Sequence, residues 1–289
     1  MIPFKYITVS SRDALWGLCV SSVGTQSIGA GMPYPPSGHA REYLFNPLKG
    51  RILKEYQILY IVEGKGTLTT ASAGTRQISS GDMFLLFPGE WHSYAPDPGT
   101  GWKEYWIGFS GVNIDHRVRN GFFSAASPVY SIGYNATAVG LYQDAIRVAT
   151  EQQAHFQQLL AGIVNHLLGL MFMVSRNRSL DKGRDLASMV VEARSFMQEN
   201  IEEKIGIPDV AAHLNISYTS FRRSFKTYTG MAPGQYLINL RMHRAKDLLR
   251  GTGISIKEIS YRLQFESPEY FSTQFKKYSG VTPSEYRAR

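Results

Sequence analysis

Apolar and polar residues alternate in the first half of the chain, in the pattern of half-buried β-strands. Gly, Asp and Pro residues separate the short runs from one another. Short strands at such a spacing are typical of a β-sandwich or a β-barrel. The predicted strands cover 57–62, 66–70, 76–78, 83–87 and 104–109, and Gly64-Lys65-Gly66 is interpreted as the hairpin turn between the first two.

The pattern changes to a helical period after about residue 135 and keeps that period as far as Val174. Large apolar residues recur there in alternating steps of four and three, as in a heptad repeat. Two interpretations stay open: this apolar stripe packs on the protein's own β-domain, or it pairs with a second copy of the chain. The stripe consists of Phe156, Leu160, Ile163, Leu167, Leu170 and Val174.

A polar segment, Ser175–Asp185, follows the stripe and indicates an interdomain linker. The residues after it have a helical pattern. The sequence therefore predicts two domains: a β-barrel with helices at 1–178, which binds a ligand and dimerises, and an all-α domain at 187–289. The linker between them is placed at 179–186.

An internal repeat with an offset of 50 residues lies in the all-α part. In each copy a serine suits a helix N-cap, aromatics follow along one helix face, and a glycine ends the helix. A shorter predicted helix precedes each serine, at 208–214 and at 256–263. This layout is typical of a helix-turn-helix. The matched pairs are Ser217 with Ser267, Phe221 with Phe271, Phe225 with Phe275, Lys226 with Lys276, Tyr228 with Tyr278, Gly230 with Gly280, Pro233 with Pro283 and Tyr236 with Tyr286.

The helix face opposite the aromatics is basic in the first copy. From Gly206 to the end the chain has 13 Lys and Arg and 6 Asp and Glu. An excess of positive charge on such a unit favours a nucleic-acid partner. The alternative is a duplicated protein-binding domain with a solvated basic face. The predicted exposed residues are Tyr218, Thr219, Arg222, Arg223 and Lys226.

Composition excludes several other classes. The chain has 43% hydrophobic and 19% charged residues and a net charge of +8, values that fit a globular protein with polyanionic partners. Cys19 is the single cysteine, which excludes an intrachain disulfide and a cysteine-based zinc finger. The first residues lack a signal-peptide pattern, and the longest apolar run, 167–174, is short for a membrane span. We therefore expect a cytoplasmic protein with no membrane partner.

Several motifs in the repeat region follow one further pattern: Ser217-x3-Phe221-x3-Phe225-Lys226, Gly230-x2-Pro233-x2-Tyr236-Leu237, Arg241-x3-Ala245-x2-Leu248-Leu249, Ile256-x2-Ile259, and Phe271-x3-Phe275-Lys276-Lys277-x2-Gly280-x-Thr282-Pro283-x2-Tyr286-Arg287. In these motifs the chain strongly resembles the AraC/XylS family of bacterial transcription regulators. The resemblance implies two helix-turn-helix units joined by one long helix, at about 235–250. It also implies recognition helices that enter successive major grooves of double-stranded DNA.

The resemblance assigns a role to individual residues. In each unit three residues are expected to contact bases, and basic residues beside them are expected to hold phosphates. The second face also carries Glu266 and Glu269, so its base contacts are expected to be weaker or confined to a cytosine amino group. The base-contacting residues are Thr219, Arg222 and Arg223 in the first unit and Glu269, Tyr270 and Thr273 in the second, and the phosphate-holding residues are Lys226, Arg262 and Lys276.

The chain departs from the family pattern in the second turn. Gln264 stands where the family usually has glycine before the phenylalanine of the second unit. A non-glycine residue in left-handed backbone costs on the order of 1 kcal/mol. We therefore expect the second turn to be strained or to have a different shape, whereas Asn215 in the first turn tolerates such a conformation better.

The first half carries Tyr60-Ile61-Val62-Glu63-Gly64-x-Gly66, Gly81-Asp82-x5-Pro88-Gly89-x2-His92 and Trp106-Ile107-Gly108-Phe109. In these pieces it resembles a cupin, a double-stranded β-barrel found in the arabinose-sensing branch of the same family. Cupin enzymes hold a metal with three histidines and a glutamate, but the matching positions here are Arg51, Leu53, Gln57 and His92. This set does not suit a divalent metal. We expect no metal, no cofactor and no catalytic residue.

The barrel resemblance brings aromatic and polar residues together at one mouth, where a sugar-like or aromatic ligand fits. By resemblance, Tyr94, Glu104 and Trp106 match positions that contact the sugar in the arabinose-sensing relative. The alternative is that these aromatics are barrel core. The expected lining is His92, Tyr94, Trp102, Glu104, Tyr105 and Trp106 with Arg41 or Arg51, and the predicted ligand-binding residues are Arg51, His92, Tyr94, Glu104 and Trp106.

These expectations combine into one hypothesis. The protein binds specific DNA as a homodimer and regulates transcription, as an activator that touches RNA polymerase, under the control of a small sugar-like molecule. Two alternatives stay open: a DNA-binding regulator whose barrel only dimerises, and a cupin enzyme fused to a DNA-binding module.

Overall fold

The structure, a computed structural model, describes residues 4–36, 45–180 and 186–288, the side chains of 177–180 excepted. Contacts along the chain separate two compact units, Met1–Ser179 and Leu180–Arg289. Residues 181–185 of the predicted linker lie outside the described part of the chain.

The first unit combines a β-domain with helices. Its strands are β1 (Phe4–Tyr6), β2 (Cys19–Ile28), β3 (Arg51–Ile52), β4 (Tyr56–Thr70), β5 (Gly74–Ser79), β6 (Asp82–Leu86), β7 (Trp91–Pro96), β8 (Trp102–Ser110) and β9 (Val129–Ser131), and its helices are α1 (Ser11–Ala14), α2 (Val112–Arg119), α3 (Ala136–Glu151) and α4 (Phe156–Leu180).

The long strand β4 joins two antiparallel layers. Its first half pairs with β6 and β8, where Ile58 lies opposite Ile107. Its second half pairs with β5 and β7, where Leu68 lies opposite Tyr94. The predicted hairpin turn at Gly64 is therefore wrong: the strand runs on through it, with an irregular register beside it. Gly64 has φ +78°, and a Cβ there would collide with the Gly101 carbonyl, so glycine permits this bend between layers.

Alternation along the strands gives the β-domain two apolar faces. Leu59 and Trp106 belong to the cluster inside the barrel. Ile58, Tyr105 and Ile107 belong to the cluster on the other face of the sheet, which includes residues of α3 and α4. Tyr105 was expected at the barrel mouth. The structure corrects this, because neighbours of Glu104 and Trp106 on a strand point to the opposite side.

Helix α4 decides between the two interpretations of the apolar stripe. Leu160 and Leu167 are fully buried and Ile163 is 8% exposed, and all three belong to the core between the helices and the sheet. The remaining residues of the stripe, Phe156, Leu170 and Val174, are partly buried against the same core. The stripe thus packs on the protein's own β-domain and is not the surface for a second copy.

The same helix corrects two further expectations. The polar segment from Ser175, predicted to belong to the linker, is helical as far as Leu180. By length and composition the helical segment Phe156–Arg176 is also long and apolar enough to cross a membrane. The apolar run 167–174 covers only part of this segment and so underestimates its length. Among the described residues it is the one such helix. One face of this helix packs against the β-domain, and 39% of the apolar segment is buried.

The second unit is helical throughout its described residues, as predicted. Its cores are separate: Phe221 and Phe225 pack in one, and Phe271 and Phe275 in the other. Helix α8 contributes to both, which confirms the expected long connecting helix. The elements are α5 (Leu186–Glu199), α6 (Ile207–His213), α7 (Tyr218–Thr229), α8 (Pro233–Gly251), α9 (Ile256–Arg262), α10 (Pro268–Ser279) and α11 (Pro283–Arg287).

Candidate DNA-binding face and effector pocket

Helix α7 begins and ends where the sequence predicts. The Ser217 hydroxyl accepts a hydrogen bond from the Ser220 N–H at 3.2 Å, and Gly230 closes the helix with φ +73°. Burial of Phe221 and Phe225 leaves the opposite face in solvent. That face exposes Tyr218, Thr219, Arg222, Arg223 and Lys226.

A cation–π contact orders part of this basic face. The Arg222 guanidinium lies 5.4 Å from the centre of the Tyr218 ring, within the range of an attractive contact. Arg222 and Arg223 are adjacent, so the face presents two guanidinium groups. Such groups form bidentate hydrogen bonds with guanine edges or phosphates.

Helix α10 repeats the scaffold with different surface chemistry. Ser267 accepts from the Tyr270 N–H at 3.1 Å. A hydrogen bond from its own backbone lowers the pKa of Glu269, which keeps the carboxylate charged at the start of the helix. The Thr273 hydroxyl donates to the Glu269 carbonyl at 2.9 Å. All four residues predicted on this helix are exposed, and Lys276 is the one basic residue among them; the four are Glu269, Tyr270, Thr273 and Lys276.

Both turns place a non-glycine residue in left-handed backbone. Asn215 has φ +52° and Gln264 has φ +60°. Gln264 thus keeps the family's turn in its strained form. Its side-chain amide donates to the Glu202 carbonyl at 2.8 Å, a contact that glycine cannot make.

Arg262, expected to hold a phosphate, is engaged by an acidic residue. Its Nε donates to Glu202 Oε2 at 2.7 Å, and its side chain is 46% exposed. Arg241, part of the family motif, is structural: it is 9% exposed and donates to the carbonyls of Ile201, Glu203 and Ile205.

A cavity inside the barrel collects most of the predicted ligand-binding residues. Arg51, Tyr94, Glu104 and Trp106 line it, and His92 does not. The full lining is Tyr6, Gln26, Tyr34, Pro35, Phe45, Arg51, Gln57, Leu59, Tyr94, Glu104 and Trp106. The expected lining residue Trp102 instead packs in the inner cluster, and Arg41 lies outside the described residues.

Arg51 lines the cavity and contacts three of its neighbours. Its Nη2 donates to the Tyr94 hydroxyl at 2.7 Å, and its guanidinium lies 4.4 Å from the centre of the Phe45 ring. Its Nε donates to His92 Nε2 at 3.4 Å. Three neighbours therefore fix the direction of its charge.

His92 supports Arg51 from behind. The imidazole is fully buried, and its Nδ1 donates to the Glu90 carbonyl at 3.0 Å. Burial, and then the Arg51 charge, lower the pKa of His92 to about 4. The ring is thus neutral at pH 7 and can accept from Arg51, so His92 positions this arginine and does not face the cavity.

Glu104 supplies an acidic group to the cavity. Its carboxylate is 2% exposed and accepts from the Tyr34 hydroxyl at 3.3 Å and from the Gln26 amide. Burial raises the pKa of Glu104 to about 7, against the opposing effects of the Gln26 and Tyr34 hydrogen bonds and of the Arg51 charge. The group therefore exchanges its proton near neutral pH.

Trp106 closes the apolar side of the cavity. It is 6% exposed, and its ring centre lies 6.2 Å from that of Phe4. The free space among these side chains is about 30 Å³. Such a space holds one or two water molecules and not a sugar ring. A sugar-sized ligand requires Arg51 or a neighbour to move.

The four positions that match cupin metal ligands do not form a metal site. The His92 Nε2 is directed at Arg51, and Leu53 has no donor atom. Among the described residues no group of three or more His, Cys, Asp or Glu is placed to hold a metal ion.

Two family profiles match the chain on either side of its division into units. The profile of the AraC-like ligand binding domain matches residues 34–176, and that of a helix-turn-helix domain matches residues 210–289. This chain belongs to the AraC family of transcription regulators. As an AraC-family regulator it has a ligand-binding domain and a DNA-binding domain with two helix-turn-helix units.

Full-length relatives of this AraC-family regulator are named for operons. It is 28% identical over 247 residues to the raffinose operon transcriptional regulatory protein RafR of Pediococcus pentosaceus, covering 83% of this chain and 87% of the relative. It is 28% identical to the lactose operon transcription activator of Staphylococcus xylosus, covering 80% and 83%. Among solved structures, the DNA-binding domain of AdpA in complex with a target DNA is 32% identical to this chain, with a TM-score of 0.33. The match covers 34% of this chain and 89% of the AdpA domain.

Sequence reasoning missed several cavity residues of this AraC-family regulator, among them Gln26, Tyr34 and Phe45. Gln26 lies on β2, a strand that the sequence analysis does not predict. The β-branched residues Val20, Val23 and Thr25 were the available signal for it. Tyr34 and Phe45 lie outside strands, so no periodicity points to them.

Proposed function

We propose that this AraC-family regulator activates transcription from a specific operator and that a sugar-like molecule in the barrel controls it. The observation that carries the sugar assignment is the cavity lining. Arg51, Glu104 and Tyr94 present a cation, an acid and a hydroxyl beside the Trp106 ring. Polar groups that bind hydroxyls, next to an aromatic face that covers ring carbons, suit a sugar. The raffinose and lactose operon relatives support the same class of ligand.

The proposal assigns base contacts to exposed residues of α7 and α10. Thr219, Arg222 and Arg223 contact one major groove, and Glu269, Tyr270 and Thr273 contact the next. Phosphates bind Lys226, Arg262 and Lys276. The protein acts in the cytoplasm, contacts RNA polymerase when it activates, and has no catalytic activity of its own.

Ligand control follows from the small free volume of the cavity. A sugar that enters must displace the Arg51 guanidinium from Tyr94 or Phe45. The ligand then binds one arrangement of the barrel and not the other, and such a difference in affinity is what shifts an equilibrium between two states.

The dimer is assigned to the outer face of α4 and not to its buried stripe. This face exposes Leu159 (56%) and Met173 (53%) with Gly162, His166 and Gly169 between them. These residues lie nearly symmetrically about His166. Two antiparallel copies related by a two-fold axis there bring Leu159 against Met173, and the glycines allow close approach. This near-symmetry supports the proposed dimer.

A ligand screen tests the sensor. We expect raffinose, lactose or another sugar or sugar acid to raise the melting temperature of the full chain, since a ligand at about 100 times its dissociation constant adds about 2.7 kcal/mol. Glu104→Gln keeps the size of the side chain and should abolish that rise without lowering the melting temperature of the free protein. Trp106→Ala should also abolish it, at a cost in stability because Trp106 packs on Phe4.

The free volume of about 30 Å³ favours a second candidate, a regulator whose barrel binds no ligand. In that case no sugar raises the melting temperature, and Glu104→Gln changes neither melting nor DNA binding. Response to a sugar in the parent that persists in Glu104→Gln would place the ligand elsewhere.

Substitution of the α4 glycines tests the dimer. A Cβ at Gly162 or Gly169 meets no atom within 4 Å inside the protomer, so Gly162→Leu with Gly169→Leu leaves the fold intact and blocks close approach of a second helix. Sedimentation should show a monomer. Gly140→Leu on α3 is the matched control, since its Cβ also meets nothing within 4 Å. A dimer that persists in the double variant would contradict the assignment.

A further inference from the structure

Glu202 joins three elements of the DNA-binding domain. Its Oε1 accepts from Arg244 Nε on α8 at 2.9 Å, and its Oε2 accepts from Arg262 Nε on α9 at 2.7 Å. Its backbone carbonyl accepts from the Gln264 amide in the second turn at 2.8 Å. The hydrogen bond from Arg262 lowers the pKa of Glu202, so its carboxylate is charged at neutral pH.

The loop that carries Glu202 is itself held in place. It lies between α5 and α6, just before the first helix-turn-helix, and the buried Arg241 donates to three of its carbonyls. Glu202 therefore extends from a fixed segment beside the first helix-turn-helix. Its contacts, Arg262 and Gln264, belong to the second helix-turn-helix and lie just before the N-cap of α10.

We propose that Glu202 is a positioning residue for DNA binding: it fixes Arg262 and the Gln264 turn so that α10 meets DNA in a set relation to α7. The inference rests on the proposed function. Arg262 has five N–H donors and gives one to Glu202 in this contact, so the pair directs the guanidinium without using all of its donors. Because the side chains of Arg262 and Arg244 are 46% and 40% exposed, the pairs lie at the surface, where single ion pairs contribute little to folding.

Charge alone predicts the opposite effect of a substitution. Removal of a negative charge from a DNA-binding domain reduces repulsion from phosphates and should tighten binding. A positioning role predicts weaker binding in spite of the charge change. The sign of the change in affinity therefore separates the two accounts.

The experiment uses the full chain and a duplex that this chain selects from a random pool. Affinity is measured on that duplex and on a copy whose half-site for α10 is scrambled. Glu202→Ala should lose about tenfold on the complete duplex, or about 1.4 kcal/mol, and less on the scrambled one, because the Arg262 phosphate contact is weakened on both and the base contacts of α10 are lost only on the complete one. The slope of log affinity against log salt should fall by about one, as expected when a phosphate contact is lost.

Glu203→Ala is the matched control. Glu203 is exposed in the same loop, carries the same charge, and contributes its backbone carbonyl and not its side chain to the Arg241 contacts. This variant should bind as tightly as the parent or more tightly. In an Arg262→Ala background, Glu202→Ala should have a smaller effect on the complete duplex.

Equal or tighter binding by Glu202→Ala on the complete duplex overturns the inference. Equal losses on both duplexes overturn it too, since the effect would then not pass through α10. If Glu202→Ala lowers the melting temperature strongly, Glu202→Gln is used in its place. Unchanged affinity of Glu202→Gln for the complete duplex would also overturn the inference. Failure to select any duplex would contradict the proposed function itself.

Discussion

Helices α7 and α10 share one scaffold and differ in surface. Each is capped by a serine, buries two phenylalanines completely and ends at a left-handed glycine. At the positions where α7 exposes Arg222 and Arg223, α10 has the half-buried Ser272 and the exposed Thr273. The two copies thus keep the residues that cap the helix and fill the core, and they differ in the residues on the face proposed to contact DNA. We therefore expect two unequal half-sites.

The largest effect should come from the arginines of α7. Arg222→Ala or Arg223→Ala removes a guanidinium that we propose to contact a base, so binding should weaken by about 1–3 kcal/mol and preference should relax at one base pair. The check is a titration of the selected duplex and of its single-base variants. Parent-like binding by both variants would show that this face of α7 does not contact bases.

The next largest effect, on stability, should come from Gln264 in the second turn. Gln264→Ala removes the hydrogen bond to Glu202 and keeps the left-handed strain, so we expect a loss of about 0.5–1.5 kcal/mol of stability. Gln264→Gly relieves strain of about 1 kcal/mol but loses the same bond, so its net change should be small. Thermal unfolding measures both, with Asn215→Gly as the control in the first turn. A Gln264→Ala variant as stable as the parent would mean that the side-chain bond contributes nothing.

Lys276 on α10 should act without sequence preference. Lys276→Ala should weaken binding to every duplex alike and lower the salt slope by about one, because a phosphate contact carries no base information. Lys277→Ala is the control: this neighbouring lysine lines a groove with residues of α8, on a different side of α10. Sequence-dependent losses in Lys276→Ala would instead make it a base contact.

The smallest change in affinity is expected at Glu269. Glu269→Ala removes a negative charge, which favours binding, together with any bond to a cytosine amino group, so the two effects largely offset. Discrimination at one base pair should fall even where affinity does not. Glu266→Ala, an exposed acid in the turn, should keep that discrimination. If both variants discriminate as the parent does, the acidic face of α10 does not read sequence.

The helix-turn-helix units were predictable because their signals are local. Ser217 and Ser267 cap, Gly230 and Gly280 end the helices, and the aromatic spacing fixes the buried face. The structure matches each of these positions. The strained turn at Gln264 was also expected, since only glycine adopts that backbone without cost.

The misses concern contacts between distant residues. The heptad spacing of α4 fits a helix packed on its own sheet as well as a helix paired in a dimer, so periodicity alone could not distinguish the two. Gly64 has the same local signal whether a strand turns back or bends onward into another layer. His92 and Arg51 are 41 residues apart, and Glu202 and Arg262 are 60 apart. No periodic pattern links such pairs, because chain folding alone brings them together.

Selection of duplexes from a random pool by the full chain tests the central claim most directly. Two recognition helices in successive major grooves predict two motifs about 10–10.5 base pairs apart, one helical turn of DNA. The motif under α7 should be sharply defined, and Arg222→Ala should blur it alone. The motif under α10 should be weaker. An enriched pool with a single motif, or with no motif at all, would contradict the account.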